Sequence, residues 1–426
     1  MKTKKIAAII LSIVLTFSLV GCASTQNANS EAAAITQTAT EVTQSETVAT
    51  DSSSTDSTTT DSTTESTTTE SSASIISNVE GSMLDTTEMF SDRDLEQTAN
   101  LTGAEYIELI SGEDVLIEEE GIYVLSGEVE EVSVIVEAAD DAKIQIVFDG
   151  VNISNEDSPT IYVKSADKVF VTTTDSENYM EVTGTYIADG DNNLDAVIYS
   201  KSDLTLNGTG TLEIVSEQGN GVTSKDDLKV TGGTYIISSA EDGLEANDAI
   251  LIYDGNFTIT SNQDALHSEN EDDSSLGYLY IYNGTFNISA GDDAIHGTSI
   301  VQIDGGTINV ETCMEGIEGT YLQINGGTIT IYAKDDGINA TAKSTYDVVI
   351  EVNGGTIDVS MGSGDTDAFD SNGDIYINGG TISIEATSAF DSDGTAELND
   401  GDVTVNGETI TQITQSQMGM GRGGHR

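Results

Sequence analysis

The chain has 426 residues, and its 14 Lys and Arg against 74 Asp and Glu give a formal charge of −60. Phosphate binding depends on clustered basic side chains, so this balance excludes nucleic acid as a partner. A single Pro, no Trp and 42 Gly suit strands and tight turns rather than helices.

Lys2, Lys4 and Lys5 precede an apolar run from Ile6 to Val20, a charged leader and a hydrophobic segment shorter than a membrane span of about 20 residues. The run ends in Leu19-Val20-Gly21-Cys22, which resembles the lipobox of bacterial lipoproteins. Residues 1–22 therefore read as a lipoprotein signal peptide. Cys22 is the lipidated residue, and the mature protein is expected on the extracellular face of the cell membrane, held by a lipid anchor. Two acyl chains suffice for stable anchoring where one is marginal. Residues 23–75 are rich in Ser and Thr and contain no Lys or Arg, the composition of a disordered, self-repelling linker. With Cys22 lipidated, Cys313 is the one thiol left, so no intrachain disulfide forms.

Residues 76–415 form the expected folded domain, and 416–426 a Gly/Met/Arg-rich tail. Within the domain a unit of about 22 residues recurs. It is plainest in Ile303-Asp304-Gly305-Gly306-Thr307-Ile308-Asn309-Val310 and again in Ile324-Asn325-Gly326-Gly327-Thr328-Ile329-Thr330-Ile331. Each unit alternates apolar and polar residues between Gly, Asn and Asp bends. Equivalent positions form inward columns: Tyr235, Phe257, Phe286, Ile308, Ile329, Ile357 and Ile382; Ile237 through Ile384; and Leu244, Leu266, Ile295, Ile317, Ile338, Phe369 and Phe390. The fold class predicted is all-β, a right-handed parallel β-helix whose coils stack about 4.8 Å apart. It is expected to be a monomer. Polar insertions at Asn270 to Ser275 and at Thr341 to Tyr346 are expected as loops on one face, where solenoids often bind ligands.

The third bend of each coil carries the chemistry. One column reads Asn220, Asp242, Asp264, Asp293, Glu315, Asp336, Asp367 and Ser388; three residues on, a second reads Thr223, Glu245, His267, His296, Glu318, Asn339, Asp370 and Asp391. Carboxylates one coil apart repel by roughly 1 kcal/mol in water and about 3–4 kcal/mol at an effective dielectric of 20. A divalent cation removes that penalty, and dense oxygen donors select Ca²⁺. The candidate metal ligands are Asp242, Asp264, Asp292, Asp293, Glu315, Glu318, Asp335, Asp336, Asp367 and Asp370. The competing reading is that Asp beside Gly bonds local backbone in a tight turn. His267 and His296 sit in consecutive coils and read either as a hydrogen-bonded polar ladder or as a transition-metal site. Asp254, Asp304, Asn325, Asn353 and Asn378, before the Gly of each unit, read as bend caps.

Val147-Phe148-Asp149-Gly150-Val151-Asn152-Ile153, Ser158-Pro159-Thr160-Ile161-Tyr162-Val163-Lys164, Gly291-Asp292-Asp293-Ala294-Ile295-His296 and Glu315-Gly316-Ile317-Glu318-Gly319 together resemble secreted bacterial carbohydrate-binding β-helix domains of pectate-lyase-like shape. Phe90-Ser91-Asp92-Arg93-Asp94-Leu95 is similar to the segment that leads into that family's first coils. The resemblance implies bound Ca²⁺ and non-catalytic binding of polysaccharide, either cellulosic or acidic plant glycan. Without Trp, sugar stacking falls to Tyr278, Tyr280 and Tyr282, read as exposed, with His267 and His296 alongside. One alternative is a Ca²⁺-dependent pectate lyase in which a neutral lysine, Lys334 or Lys225, removes the proton. A structural adhesin or wall spacer is the other.

Overall fold

The computed structural model describes residues 81–364 and 366–414, where strands pair coil upon coil as a right-handed parallel β-helix. An antiparallel hairpin, Asp402–Val405 with Glu408–Ile410, closes its C-terminal end. The lipobox Cys22, the linker and the tail lie outside the described residues.

Strand pairing reproduces the predicted columns. Tyr235 is followed in register by Phe257, Phe286, Ile308, Ile329, Ile357 and Ile382. Leu244 is followed by Leu266, Ile295, Ile317, Ile338, Phe369 and Phe390. All are buried, and Phe257 and Phe286 stack face to face with centroids 4.6 Å apart. Each such side chain contributes roughly 1.5–3 kcal/mol by leaving water, which makes the stacked columns the main source of stability.

The bend-capping residues form a ladder of their own. Asn325 donates to Asp304 at 2.7 Å, and Asn353 to Asn325, Asn378 to Asn353 and Asn399 to Asn378, each at 2.9 Å. The Gly pairs that follow have a steric cause. Gly306 and Gly327 adopt φ of +91° and +94°, and a Cβ there would approach a carbonyl of the preceding coil to 2.9–3.0 Å.

Residues 81–97 are neither a cap nor free linker. They form a strap that runs along the helix axis and covers one outward column: Phe170, Thr205, Lys229, Leu251, Tyr280, Gln302 and Gln323. Gln323 and Gln302 accept from the N–H groups of Met83 and Leu84, each at 3.0 Å. Leu84, Met89 and Phe90 cover Ala249, Leu251 and Tyr280. The lock is Asp94, 2.7 Å from the Lys168 ammonium and 2.8 Å from the Thr205 hydroxyl that donates to it. Burial alone would raise the Asp94 pKa, but Lys168 and the Ser91 bonds bring it down to about 2. Beside this lock the Arg93 guanidinium lies over the Phe170 ring, 4.3 Å from its centroid.

The strap overturns one reading. Tyr280 is fully buried beneath it and donates its hydroxyl to Asp304 at 2.8 Å, so it cannot stack on a sugar. Tyr278 is half-buried in the same apolar cluster. Of the three tyrosines Tyr282 alone is exposed, at 37%, with its ring stacked on Tyr253.

Candidate functional site

The two polar columns of the third bend are adjacent, in the register read from the sequence. The structure adds how successive coils connect. Three acids of the first column use one oxygen to accept the backbone N–H of the same position one coil on: Asp242 from Asp264 at 2.9 Å, Asp264 from Asp293 at 2.8 Å and Asp336 from Asp367 at 3.1 Å. Asn220 serves Asp242 in the same way at 2.8 Å. These side chains therefore build the solenoid whether or not they meet a ligand.

First-column side chains also face the second column one coil on, and there the pattern divides. Where that neighbour complements it, the rung is satisfied. Asn220 donates to Glu245 at 2.7 Å, and Asn339 donates to Glu315 at 2.8 Å. His267 Nδ1 lies 2.8 Å from Asp242 Oδ2, and His296 Nδ1 lies 3.1 Å from Asp264 Oδ2. The two imidazoles stack with centroids 4.8 Å apart and rings 12° from parallel. Burial works against a charge on His267, yet the bond and charge of Asp242 push its pKa up to about 9. The histidines thus form the hydrogen-bonded ladder, within which Asp264, His267 and His296 lie close enough to share an ion.

At other rungs acid faces acid. Asp293 meets Glu318, and burial together with Asp264, Glu315 and Glu318 raises its pKa far above the carboxylate range. Further along, burial and the neighbouring Asp370 push Asp336 up to about 7, although the Asp367 N–H opposes this. Burial, then Asp367 and Asp391, push Asp370 up to about 6. The two acid-on-acid regions differ in one respect. Lys343, on the second insertion, bonds Glu318 and brings its ammonium 2.9 Å from His296 Nε2. Among the described residues, no basic side chain pairs with Asp336, Asp370 or Asp391.

The remaining sequence candidates stand apart. Asp292 and Asp335 are exposed, beside the columns rather than in them. Lys334 is exposed and forms no ion pair among the described residues. Lys225 pairs with Glu245 at 3.1 Å. The sequence reading missed Lys343; the signal available was a rare basic residue in the insertion next to the acid columns. The two insertions meet where Ser274 and Thr345 hydroxyls come within 3.2 Å of each other. The first of them lines a polar cleft of 590 Å³ with Lys225, Glu245, Asp248, Glu269 and Asp272.

The class that this fold and site define is a β-solenoid with one long stacked face of acids, amides and imidazoles. The chain belongs to the carbohydrate-binding domain-containing protein family, whose model matches residues 111–368. A relative of that description from Acetivibrio thermocellus is 33% identical over 125 residues, which are 29% of this chain and 44% of the relative. The matched region thus spans less than half of that relative's length. The polysaccharide lyase-like protein of C. thermocellum, solved as a gadolinium derivative, is 30% identical with a TM-score of 0.45, the match covering 53% of this chain and 92% of that one.

Proposed function

We propose that this protein is a non-catalytic, calcium-dependent receptor for acidic polysaccharide, carried on the cell surface by its N-terminal lipid. The observation that carries this reading is the pair of acid-on-acid rungs at Asp336/Asp370 and Asp367/Asp391, crowded with carboxylates, where among the described residues no basic side chain pairs with Asp336, Asp370 or Asp391. The donor set is all oxygen and anionic, which suits a hard cation; Asp336, Asp367, Asp370 and Asp391 would hold it. Bound there, Ca²⁺ supplies the positive charge that joins protein carboxylate to uronate carboxylate. The chain's own part is positional. Its backbone N–H bonds fix the Asp column, its stacked coils repeat polar groups at about 4.8 Å, and its insertions wall one side of the face.

Without the ion, a chain of net charge −60 repels an acidic glycan. Binding of polygalacturonate should therefore vanish with chelator and return with Ca²⁺. Co-sedimentation of the full-length protein tests this, with the ultraviolet absorbance of unsaturated products followed in the same samples. Binding that ignores the chelator refutes the calcium bridge. Rising absorbance makes the protein a lyase, while absence of all glycan binding leaves the wall spacer.

A further inference from the structure

We propose that His296, Glu318 and Asp293 form a second cation site, one that takes a transition-metal dication of the Zn²⁺ kind, with Lys343 as the tethered cation that the metal displaces. One ligand atom from each of the three residues lies within 4.8 Å of the others. His296 Nε2 and Glu318 Oε2 are 3.4 Å apart. Two ligands at 2.0–2.1 Å on a tetrahedral ion are separated by about 3.4 Å, so this edge is preformed.

The imidazole is also oriented. Its Nδ1 faces Asp264 Oδ2 at 3.1 Å, and stacking on His267 holds the ring plane. A hydrogen donated from Nδ1 leaves the lone pair on Nε2, the carboxylate–histidine arrangement that commonly stands behind a metal. The Lys343 ammonium, 2.9 Å from Nε2, independently reports the same lone pair, because an ammonium has hydrogens to donate and nothing to accept with. The site thus already seats a positive charge between imidazole and carboxylate.

That occupant is removable. Lys343 is anchored by its backbone, through N–H groups of Lys343 and Ser344 donated to the Thr320 hydroxyl at 3.1 and 3.0 Å. Its side chain is 31% exposed, so the ammonium can move into water while the loop stays in place. Imidazole sets the selectivity: it suits Zn²⁺, Ni²⁺ and Co²⁺, whereas Ca²⁺ prefers the oxygen-only stretch at Asp336 and Asp370. The inference needs no glycan and stands or falls apart from the proposed receptor activity.

Co²⁺ is the probe, titrated into the full-length protein and followed by its visible absorption, then competed with Zn²⁺ and separately with Ca²⁺. One equivalent should bind with the intense spectrum of a four- or five-coordinate ion, be displaced by Zn²⁺ and survive excess Ca²⁺. His296→Ala should weaken binding at least 10-fold, and Asp264→Asn about 10- to 100-fold by loosening the ring. Lys343→Ala, a loop substitution that leaves the coils intact, should tighten it about 10-fold. Binding indifferent to His296→Ala, displaced by Ca²⁺, or unchanged or weakened in Lys343→Ala overturns the proposal, as does failure of the unaltered protein to bind Co²⁺ stoichiometrically.

Discussion

Replacing Asp94 by Ala should release the strap without unfolding the solenoid. The Asp94 carboxylate is 2% exposed and the Lys168 side chain 10%, so the substitution leaves a buried ammonium without its counterion. It also strips acceptors from the Thr205 hydroxyl and from the Ser91 N–H and hydroxyl. Breaking a buried pair in this way costs about 3–5 kcal/mol. At roughly 1.4 kcal/mol per factor of ten, the open strap becomes at least about 100-fold more populated. Trypsin provides the assay, because Arg93 is the one basic residue between Lys5 and Lys143 and sits in the strap against Phe170. Cleavage after Arg93 should accelerate by that factor while circular dichroism holds its β signature. Adding Lys168→Met should recover much of the loss, since no bare charge remains. Equal cleavage rates in Asp94→Ala and the unaltered protein, with the fold retained, would refute the lock. The pH dependence has a definite sign. With a folded pKa of about 2, below the unfolded 3.8, Asp94 contributes stability that is complete above about pH 4 and is lost as pH falls toward 2.

The acid columns predict the opposite slope. Asp336 at about 7 and Asp370 at about 6 have folded pKa values above the unfolded 3.8, so their favourable contribution is complete below about pH 4 and lost as pH rises through 6 to 7. In chelator, the thermal midpoint should fall between pH 4.5 and pH 8, and millimolar Ca²⁺ should flatten that fall; a midpoint that rises with pH in chelator contradicts the assignment. Phe369→Ala, which empties a fully buried site beside Phe390, should cost about 3–5 kcal/mol in denaturant unfolding. Asn353→Ala removes the bond donated to Asn325 and the one accepted from Asn378, each 2.9 Å long, and should cost about 1–3 kcal/mol by the same measurement.

The columns were legible because a solenoid repeats one local solution. Once Ile308, Ile329 and Ile357 are aligned by their Gly pairs, neighbouring positions follow at fixed offsets, and so the placement of His267 beside His296 and of Glu318 beside Asn339 was read from spacing alone. What the repeat does not encode is the partner of each acid. Asp242 and Asp264 spend one oxygen on the backbone of the next coil, a contact made by geometry rather than by residue type. The strap has no period at all, and its partners lie far along the chain, 218 residues away for Leu84 and 240 for Met83. Tyr280 was misread for that reason: its own unit gives no sign that Phe90 will cover it. Lys343 was missed because an insertion's path depends on contacts that its own residues do not announce, such as those to the Thr320 hydroxyl and to Ser274 on the other insertion.

The strap also sets how the molecule meets force. Tension arriving along the chain before Gly81 reaches the strap first at its contacts with Gln323 and travels toward Asp94 and Gln97. Because the strap lies across the coils, one outward residue per coil, such a load peels contacts in sequence instead of shearing them together. The segment Gly81–Gln97, pulled straight, spans roughly 55 Å. A protein tugged from its N-terminal side would pay out that slack before any coil of the β-helix is disturbed, and the buried Asp94–Lys168 pair near the far end sets the point at which peeling stalls.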